Sequence, residues 1–276
     1  MKILEVKVTR ALSKSGLPDL DYALNPYLGC YHACTYCYAR LYTRIREVSE
    51  NWGEVVAVKT NIVEVLKKEA PSKPRGVVGL GTITDAYQPV EATYLLSRRS
   101  LEVLLPLGFK VSIQTKNPLV TRDVDILAAY KDRVDVGFTI TTLDNKVASF
   151  IEPRVPPPSE RASALKHLSE RGVKTWLFYG PIIPGLNDSE DDIEALLRLA
   201  ESTRSDFYYD SLHVKPFMSG GHVLAPYAKR ATSYDWRSLF NYIESKCKEH
   251  NVKCLPGFAR NNPSLSIRSF IKPTQS

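Results

Sequence analysis

Short apolar runs alternate with amphipathic stretches along most of the chain. The apolar runs are rich in β-branched residues and predict buried strands at 76–81, 110–115, 134–140, 173–179, 207–214 and 252–255. Between them, apolar residues recur at helical spacing and predict helices at 91–105, 122–130, 159–171, 189–201 and 233–250. Strand-then-helix units in this order predict a parallel sheet with right-handed crossovers.

Polar residues at the starts of several predicted helices are suited to capping. Thr121, Ser159 and Ser233 stand at the starts of three of them, and Asp188 or Ser189 begins a fourth. A hydroxyl or carboxylate at this position accepts a hydrogen bond from the first free backbone amides of a helix. We therefore expect these residues to mark the helix boundaries.

The number of strand–helix units indicates the architecture. With an early strand that ends near Leu28, the chain provides about six units, and no linker, repeat or low-complexity tract divides them. We therefore predict an α/β fold, a partial (β/α)6 parallel barrel. In such a sheet the chemistry lies at the carboxyl ends of the strands, so the informative residues should follow each strand.

Composition and charge narrow the class of protein only slightly. The chain has 276 residues, 43% of them apolar, and 37 Lys plus Arg against 30 Asp plus Glu, for a net charge of +7. This excess is spread along the chain and permits a nucleic-acid partner without requiring one. The first 30 residues carry charges throughout, and no run approaches the roughly 20 apolar residues that span a bilayer. We expect a cytoplasmic protein with no membrane partner.

Three of the five cysteines, Cys30, Cys34 and Cys37, lie close together in the spacing C-x3-C-x2-C. An odd number of cysteines with three crowded together is unlike a disulfide framework, so we expect Cys247 and Cys254 to be buried thiols. Three thiolates are too few for a structural zinc site but suit a four-iron cluster with one iron open to a ligand. A zinc site and a buried helical stripe are the alternatives.

The triplet, with Tyr36 just before its third cysteine, resembles the radical S-adenosylmethionine (SAM) enzymes. Further segments are similar, in order, to the subgroup around spore photoproduct lyase: 12–15, 25–30, 81–91, 114–116, 139–141, 152–161 and 180–185. The resemblance implies a partial barrel of the radical SAM type. It also implies one domain over 1–276, with a core at about 20–215 and a C-terminal extension at about 216–276.

The resemblance also implies cofactors and a reaction. The three cysteines would bind a [4Fe-4S] cluster, and a partner of the ferredoxin or flavodoxin type would reduce it. The reduced cluster would cleave SAM to a 5′-deoxyadenosyl radical, which abstracts hydrogen from a substrate. The residues that would contact SAM follow the strands and the cysteines, and they are Tyr36, Tyr38, Thr84, Asp85, Lys116, Thr139 and Gly180.

The aromatic and glycine residues of this set would bind the adenine end of SAM. Tyr36 and Tyr38 would line one side of the ring, and the backbone at Gly180 would approach it closely, because glycine has no side chain. Tyrosines near a strand end are also common packing residues.

The polar residues of the set would bind the remaining groups of SAM. Thr84 and Asp85 would meet its amino group, Lys116 its carboxylate or ribose, and Thr139 its ribose. Each has an ordinary structural alternative: a helix cap for Asp85, a solvated strand end for Lys116, and a β-branched strand residue for Thr139.

Other polar residues near the same segments are candidates for a structural ion pair or for contact with the substrate. Glu152 and Arg161 flank a proline-rich turn, and we predict a structural ion pair between them, with contact to the cofactor as the alternative. His213, Lys215 and His222 follow a late strand and are candidates to face the substrate, although a lone histidine is more often structural.

One departure from the subgroup limits the functional prediction. Spore photoproduct lyase uses a cysteine near the end of its second strand to return a hydrogen atom, whereas the matching stretch 81–85 has none. The resemblance therefore does not imply that this chain repairs photoproducts. Nucleic acid is the leading substrate hypothesis, and a protein or small molecule is the alternative. A non-catalytic zinc module that binds nucleic acid is the alternative of another class.

Overall fold

The structure, a computed structural model, describes residues 1–257. Its strands are β1 Lys2–Val6, β2 Ser13–Lys14, β3 Tyr22–Leu24, β4 Tyr27–Leu28, β5 Val55–Lys59, β6 Val77–Leu80, β7 Lys110–Thr115, β8 Val134–Thr139, β9 Lys174–Ile182, β10 Asp206–Ser211 and β11 Cys254–Pro256. Its α-helices are α1 Arg46–Glu50, α2 Ile62–Glu69, α3 Glu91–Tyr94, α4 Leu96–Leu104, α5 Val124–Ala129, α6 Asn145–Ile151, α7 Pro158–Glu170, α8 Glu190–Ser202, α9 Ala225–Thr232 and α10 Trp236–Glu249. Short 3-10 helices cover Tyr38–Tyr42, Ala70–Ser72 and Pro118–Asp123. The last part of the predicted C-terminal extension lies outside the described residues.

The main sheet has the strand order β2-β3-β6-β7-β8-β9-β10-β11. Each neighbouring pair from β3 to β11 is parallel, and β2 runs antiparallel at one edge. With helices connecting the successive strands, this sheet confirms the predicted α/β fold and partial (β/α)6 barrel. Because the strands from β3 onward are parallel, their carboxyl ends meet at one edge of the sheet.

A second sheet, of order β1-β5-β4, is absent from the sequence prediction. β1 is parallel to β5, and β4 pairs antiparallel with β5 on its other side. The strand predicted to end near Leu28 ends at Leu24, because the main sheet takes only β3 from this region. A two-residue strand such as β4 is too short to show an alternating pattern. Its pairing fixes the chain just before the first cysteine of the triplet.

The predicted helix caps are confirmed only in part. Ser189 caps α8, where its side chain accepts a hydrogen bond from the backbone of Asp192. The other three predicted caps are wrong. Thr121 lies inside a 3-10 helix, Ser159 lies inside α7, and Ser233 follows the last residue of α9.

Neighbouring residues explain the corrected helix boundaries. Asn117 caps the 3-10 helix before α5, and Asp235 caps α10, each by accepting a backbone hydrogen bond. α7 begins at Pro158, because a proline is favourable at the first helical position, where its missing N–H needs no partner. Leu95 has a φ of 56° and divides the helix predicted at 91–105 into α3 and α4. No helix in the described part of the chain is long and apolar enough to cross a bilayer.

The main core lies between the sheet and its helices. Val136, Phe138 and Leu177 on adjacent strands are fully buried, as are Leu196 and Leu197 of α8. Burying a side chain of this size contributes roughly 1.5–3 kcal/mol. The core thus provides a rigid base beneath the carboxyl edge of the sheet.

Cys247 and Cys254 form a disulfide, so the prediction of two buried thiols is wrong. Cys247 lies in the last turn of α10 and Cys254 begins β11. Asn251, with a φ of 52°, reverses the chain between them, and the backbone N–H of Val252 donates to the carbonyl of Cys247 at 2.9 Å. This reversal brings the two thiols together, and an argument from cysteine number and spacing does not detect it.

Candidate active site

A cleft opens at the carboxyl edge of the main sheet. All three cysteines of the triplet line it, and so do all seven residues predicted to contact SAM. These ten residues come from the loop after β4 and from the ends of β6, β7, β8 and β9, so the parallel sheet brings together segments that are about 150 residues apart in sequence.

The cysteine loop is tightly turned. The backbone N–H of Ala33 donates to the carbonyl of Cys30 at 3.3 Å. The backbone N–H of Cys37 donates to the carbonyl of Cys34 at 3.0 Å. Ala33 has a φ of 49°, a region that favours glycine. Burial raises the pKa of Cys30 to about 12 and also raises the pKa values of Cys34 and Cys37. The free thiols therefore stay protonated until a metal displaces their protons.

Gln88 holds the backbone on both sides of Cys30. Its side chain is fully buried; Oε1 accepts a hydrogen bond from the N–H of Tyr31 at 2.9 Å, and Nε2 donates to the carbonyl of Gly29 at 3.1 Å. Thr84 Oγ1 donates to the same carbonyl at 2.6 Å and accepts from Gln88 Nε2 at 2.9 Å. Two side chains of the segment after β6 thus fix the position of the first cysteine.

Glu91 anchors the start of the cysteine loop through Tyr27. The hydroxyl of Tyr27 donates to Glu91, and both side chains are fully buried. Burial raises the pKa of Tyr27 well above its usual value. Arg122 Nη2 donates to Glu91 at 2.9 Å and balances its charge. The segment 84–91 therefore supports the loop at several points.

Asp85 is a buried carboxylate whose oxygens are largely occupied. It accepts hydrogen bonds from Thr115 Oγ1 at 2.7 Å, Tyr87 N–H at 2.9 Å and Lys116 N–H at 2.8 Å. His32 Nε2 lies 3.2 Å from its Oδ2, but without hydrogen-bond geometry. Burial alone would raise the pKa of Asp85, yet His32 and the donors lower it to about 2. Asp85 is therefore ionised at neutral pH.

Lys116 places a positive charge in the cleft. Its ammonium lies 5.7 Å from the ring centroid of Tyr36, within the range of a cation–π contact. Burial alone would lower the pKa of Lys116, but negative charge nearby, on Cys34 once it is a thiolate and on the carboxylates of Glu152 and Asp85, raises it above its ordinary value. Lys116 is therefore protonated at neutral pH.

Tyr36, Glu152 and Arg161 form a buried chain of polar contacts. The hydroxyl of Tyr36 donates to Glu152, which pairs with Arg161 at 2.7 Å, so the predicted ion pair is confirmed. Burial would raise the pKa of Glu152, but the charge of Arg161 lowers it. Arg161 Nη1 also donates to the carbonyl of Thr139 at 2.9 Å. The pair thereby links the cysteine loop to the end of β8.

The remaining predicted SAM residues lie at the rim and at the ends of β8 and β9. Tyr38 is 38% exposed, and its hydroxyl donates to the carbonyl of Thr82 at 3.2 Å. Thr139 Oγ1 accepts a hydrogen bond from Gln114 Nε2 at 3.1 Å. A Cβ at Gly180 would lie 2.5 Å from the ring of Phe178, so the packing at this point of β9 requires glycine.

The cleft also contains candidate substrate-facing residues and residues that the sequence did not indicate. His213 and Lys215 line the cleft, whereas His222 is not among its lining residues. Asp210 accounts for the position of His213, because their Oδ2 and Nε2 atoms lie 2.9 Å apart. Asp210 is near the end of β10 and follows the strand-end rule. Trp52 also lines the cleft. It belongs to a turn beside the small sheet, for which the sequence carries no signal.

Comparison with known families identifies the superfamily to which the chain belongs. The sequence profile of the Radical SAM superfamily matches residues 24–200, a range that contains all ten predicted site residues. This chain belongs to the radical SAM superfamily. It is therefore a radical SAM enzyme, and members of its superfamily use a [4Fe-4S] cluster and SAM.

Two relatives show how far the sequence similarity of this radical SAM enzyme extends. An uncharacterized protein of Methanocaldococcus jannaschii is 31% identical over 224 residues, covering 81% of this chain and 83% of the relative. An uncharacterized protein of Acidianus two-tailed virus is 36% identical over 204 residues, covering 70% of this chain and 67% of the relative.

Solved structures share the fold of this radical SAM enzyme. A spore photoproduct lyase variant with bound AdoMet and dinucleoside spore photoproduct matches with a TM-score of 0.69 at 14% identity, covering 93% of this chain and 82% of the lyase. SuiB of Streptococcus suis bound to SAM matches with a TM-score of 0.56 at 18% identity, covering 90% of this chain and 53% of SuiB. The lyase match confirms the predicted likeness to the spore photoproduct lyase subgroup in fold.

Proposed function

We propose that Cys30, Cys34 and Cys37 hold the [4Fe-4S] cluster of this radical SAM enzyme and that SAM binds beside it across the strand ends. When both are bound, reductive cleavage of SAM supplies a 5′-deoxyadenosyl radical, which abstracts hydrogen from a substrate. One observation supports the proposal: the three cysteines and the seven residues that the family resemblance assigns to SAM line a single cleft.

The arrangement of the thiols fits a cluster better than a single metal ion. Within residues 1–257, no three His, Cys, Asp or Glu side chains converge as they would around one ion. A zinc site requires such convergence, whereas each thiolate of a cluster binds a different iron atom. The three free cysteines line one cleft, as ligands of a shared cluster must.

Charges in the cleft suit the polar end of SAM. The protonated Lys116 would pair with the SAM carboxylate, and the ionised Asp85 would attract its ammonium. Because three donors already occupy the carboxylate of Asp85, its contribution would be mainly its charge. Thr84 shares this region, although its hydroxyl is bound to Gly29.

The other cleft residues suit the nucleoside end of SAM. Thr139 would contact the ribose through its hydroxyl, and the backbone at Gly180 would approach the adenine. Tyr36 and Tyr38 would line the adenine side, with Tyr36 held in place by its bond to Glu152.

Nucleic acid is the substrate class that we propose. The net charge of +7 is compatible with a polyanion, and a structural neighbour, spore photoproduct lyase, is solved with a dinucleoside photoproduct. Photoproduct repair is not part of the proposal, because the described residues that line the cleft include no cysteine outside the triplet. A protein or small-molecule substrate is the alternative. A ferredoxin or flavodoxin type of protein would supply the electron.

Anaerobic reconstitution tests the proposal. The chain is supplied with iron and sulfide, its iron content and visible absorbance are measured, and SAM and dithionite are added. We expect about four irons per chain and formation of 5′-deoxyadenosine. Cys34→Ala should lose the absorbance and the SAM cleavage together, whereas the same assays on Cys247→Ala should match the unmodified chain.

The outcomes separate the alternatives. One zinc per chain without iron, or SAM cleavage that survives in Cys34→Ala, would contradict the cluster assignment. For the substrate, oligonucleotide binding is measured against salt concentration. Phosphate contacts release counterions, so the affinity should fall steeply with salt. Binding that is absent at low salt would redirect the search to proteins and small molecules.

A further inference from the structure

An exposed apolar surface follows the third cysteine of the triplet. The 3-10 helix Tyr38–Tyr42 begins directly after Cys37. Leu41 is 54% exposed, which makes it the most exposed large apolar side chain in the described part of the chain, and its neighbour Tyr42 is 46% exposed. Adjacent exposed apolar side chains are more informative than scattered ones, because apolar patches mark surfaces that a partner covers.

The same stretch of chain is basic. Segment 38–46 contains three arginines and no acidic residue. Arg44 is exposed and makes no side-chain hydrogen bond or ion pair within residues 1–257. Arg46 pairs with Glu50 at 2.7 Å, but both side chains are exposed, and such a pair contributes little to stability. The positive charge of segment 38–46 is therefore available to an acidic partner.

Segment 38–46 adjoins the cysteine that is nearest to solvent. Cys37 is partly exposed, whereas the other two cysteines of the triplet are buried. Cys37 is also the residue from which the 3-10 helix starts. Because a 3-10 helix rises about 2 Å per residue, Leu41 lies only about 8 Å along it from Cys37. A protein bound to this segment would therefore lie beside the most accessible of the three cysteines.

The most exposed part of segment 38–46 lies outside the cleft. Tyr38 and Ala39 line the cleft. Leu41, Tyr42 and Arg44 are not among its lining residues. A substrate must enter the cleft, because a radical formed from SAM abstracts hydrogen only from an atom in contact with it. An electron carrier needs only to approach the cluster, so the position of this surface favours a carrier over a substrate.

We propose that segment 38–46 is the docking surface for the protein that reduces the cluster, an acidic one-electron carrier of the ferredoxin or flavodoxin type. This inference rests on the proposed function, since it requires the cluster at the triplet. In the docked complex one electron passes from the carrier to the cluster. The carrier is thereby oxidised and the cluster reduced, and no covalent bond forms or breaks.

The size and chemistry of the surface suit such a complex. Electron-transfer complexes bury less than about 1,200 Å² in total, so a short segment and its neighbours are sufficient. Leu41 and Tyr42 provide the apolar centre of the interface, and Arg44 attracts the acidic groups of the carrier. Because this surface is outside the cleft, SAM and the substrate stay bound while the carrier docks.

The test compares two charge reversals. Arg44→Glu changes the segment, and Arg171→Glu is the matched control, because Arg171 is also exposed but follows α7 at the edge of the sheet where β9 begins. Each chain is reconstituted anaerobically and its iron is quantified. Its affinity for a purified flavodoxin and a purified ferredoxin is then measured by biolayer interferometry at low and high salt.

The expected affinities follow from the charge of the segment. We expect Arg44→Glu to weaken binding of the carrier about tenfold at low salt, and Arg171→Glu to change it less than about twofold. The affinity of the unmodified chain should fall with salt, because salt screens exposed charges beyond about 8 Å at physiological ionic strength. This salt dependence should be weaker in Arg44→Glu.

SAM cleavage separates docking from the chemistry of the cleft. Formation of 5′-deoxyadenosine is measured with the reduced carrier and, separately, with dithionite, a small reductant that needs no docking surface. Arg44→Glu should raise the KM for the carrier about tenfold and leave the rate with dithionite unchanged. Leu41→Ser, which changes no charge, should also weaken carrier binding while its iron content and its rate with dithionite stay unchanged, because the side chain is exposed.

Four results would overturn the inference. If neither carrier binds the unmodified chain while dithionite supports cleavage, segment 38–46 has another role. Equal carrier affinities for Arg44→Glu and the unmodified chain would place the docking surface elsewhere. Weaker oligonucleotide binding in Arg44→Glu with carrier binding intact would assign the segment to nucleic acid. An unmodified chain that takes up no cluster would remove the proposed function as well, which iron analysis shows before any carrier is added.

Discussion

Replacing Gln88 with leucine should loosen the backbone around Cys30. Leucine has a similar volume, so the change removes hydrogen bonds without a large cavity. Two bonds to the cysteine loop disappear, at 2.9 Å to Tyr31 N–H and 3.1 Å to the Gly29 carbonyl. The carbonyl keeps its bond from Thr84, whereas the Tyr31 N–H loses its acceptor.

The magnitude follows from these partners. A buried donor left without an acceptor costs about 1–3 kcal/mol, and the Tyr31 N–H, which is only partly buried, should cost the lower part of this range; a lost bond whose partner keeps another costs about 1 kcal/mol. We therefore expect Gln88→Leu to lower the free energy of unfolding of the cluster-free protein by about 1–3 kcal/mol. Urea unfolding measures this change. We also expect less iron per chain after reconstitution, because the position of Cys30 is no longer held from both sides.

Gln114→Leu is the matched control. Gln114 is exposed and makes a side-chain bond to Thr139 Oγ1 at 3.1 Å, so its loss should cost less than about 1 kcal/mol and leave the iron content unchanged. The reasoning about Gln88 fails if both variants unfold alike and Gln88→Leu still binds a full cluster.

Three further predictions address other parts of the chain. Lys116→Ala should weaken SAM binding at least about tenfold in equilibrium dialysis while the cluster absorbance remains, because a charged bond is lost; unchanged affinity would make Lys116 an ordinary strand-end lysine. Arg161→Met should lower the free energy of unfolding by about 3–5 kcal/mol in urea, since it leaves Glu152 ionised and unpaired in the core; adding Glu152→Gln should recover part of the loss, and a stable single variant would contradict this. Cys247→Ser should lower the free energy of unfolding under non-reducing conditions by about 2–3 kcal/mol, as the bridge to Cys254 closes a loop with a separation of 7 residues; loss of iron in this variant would argue against its purely structural role.

The sheet and the cysteine loop could be predicted because their signals are local. The strand predicted at 110–115 matches β7, and that at 134–140 matches β8 within one residue, since a buried strand shows its pattern over a few residues. The spacing of Cys30, Cys34 and Cys37 is likewise a property of eight consecutive residues. Lys116 was indicated by its place at a strand end, whereas Thr139 was indicated by the resemblance to the radical SAM enzymes.

The helix caps and the second sheet were harder to predict from the sequence. Thr121, Ser159 and Ser233 have the right chemistry for caps, but adjacent residues such as Asn117 and Asp235 compete for the same role. β4 has two residues, and its existence depends on pairing with β5, which is about 30 residues away in sequence. Which residue caps a helix, and whether a two-residue strand forms, therefore depends on which segments come together in the folded chain.

The sequence by itself determined the order of strands and helices, the cysteine triplet and the family of this enzyme. The tertiary structure alone decided which partners each side chain has. Gln88 bonds to Tyr31 across 57 residues of sequence. The bridge between Cys247 and Cys254 likewise depends on a chain reversal. Periodicity and spacing act over a few residues, whereas hydrogen bonds and packing depend on segments that only folding brings together.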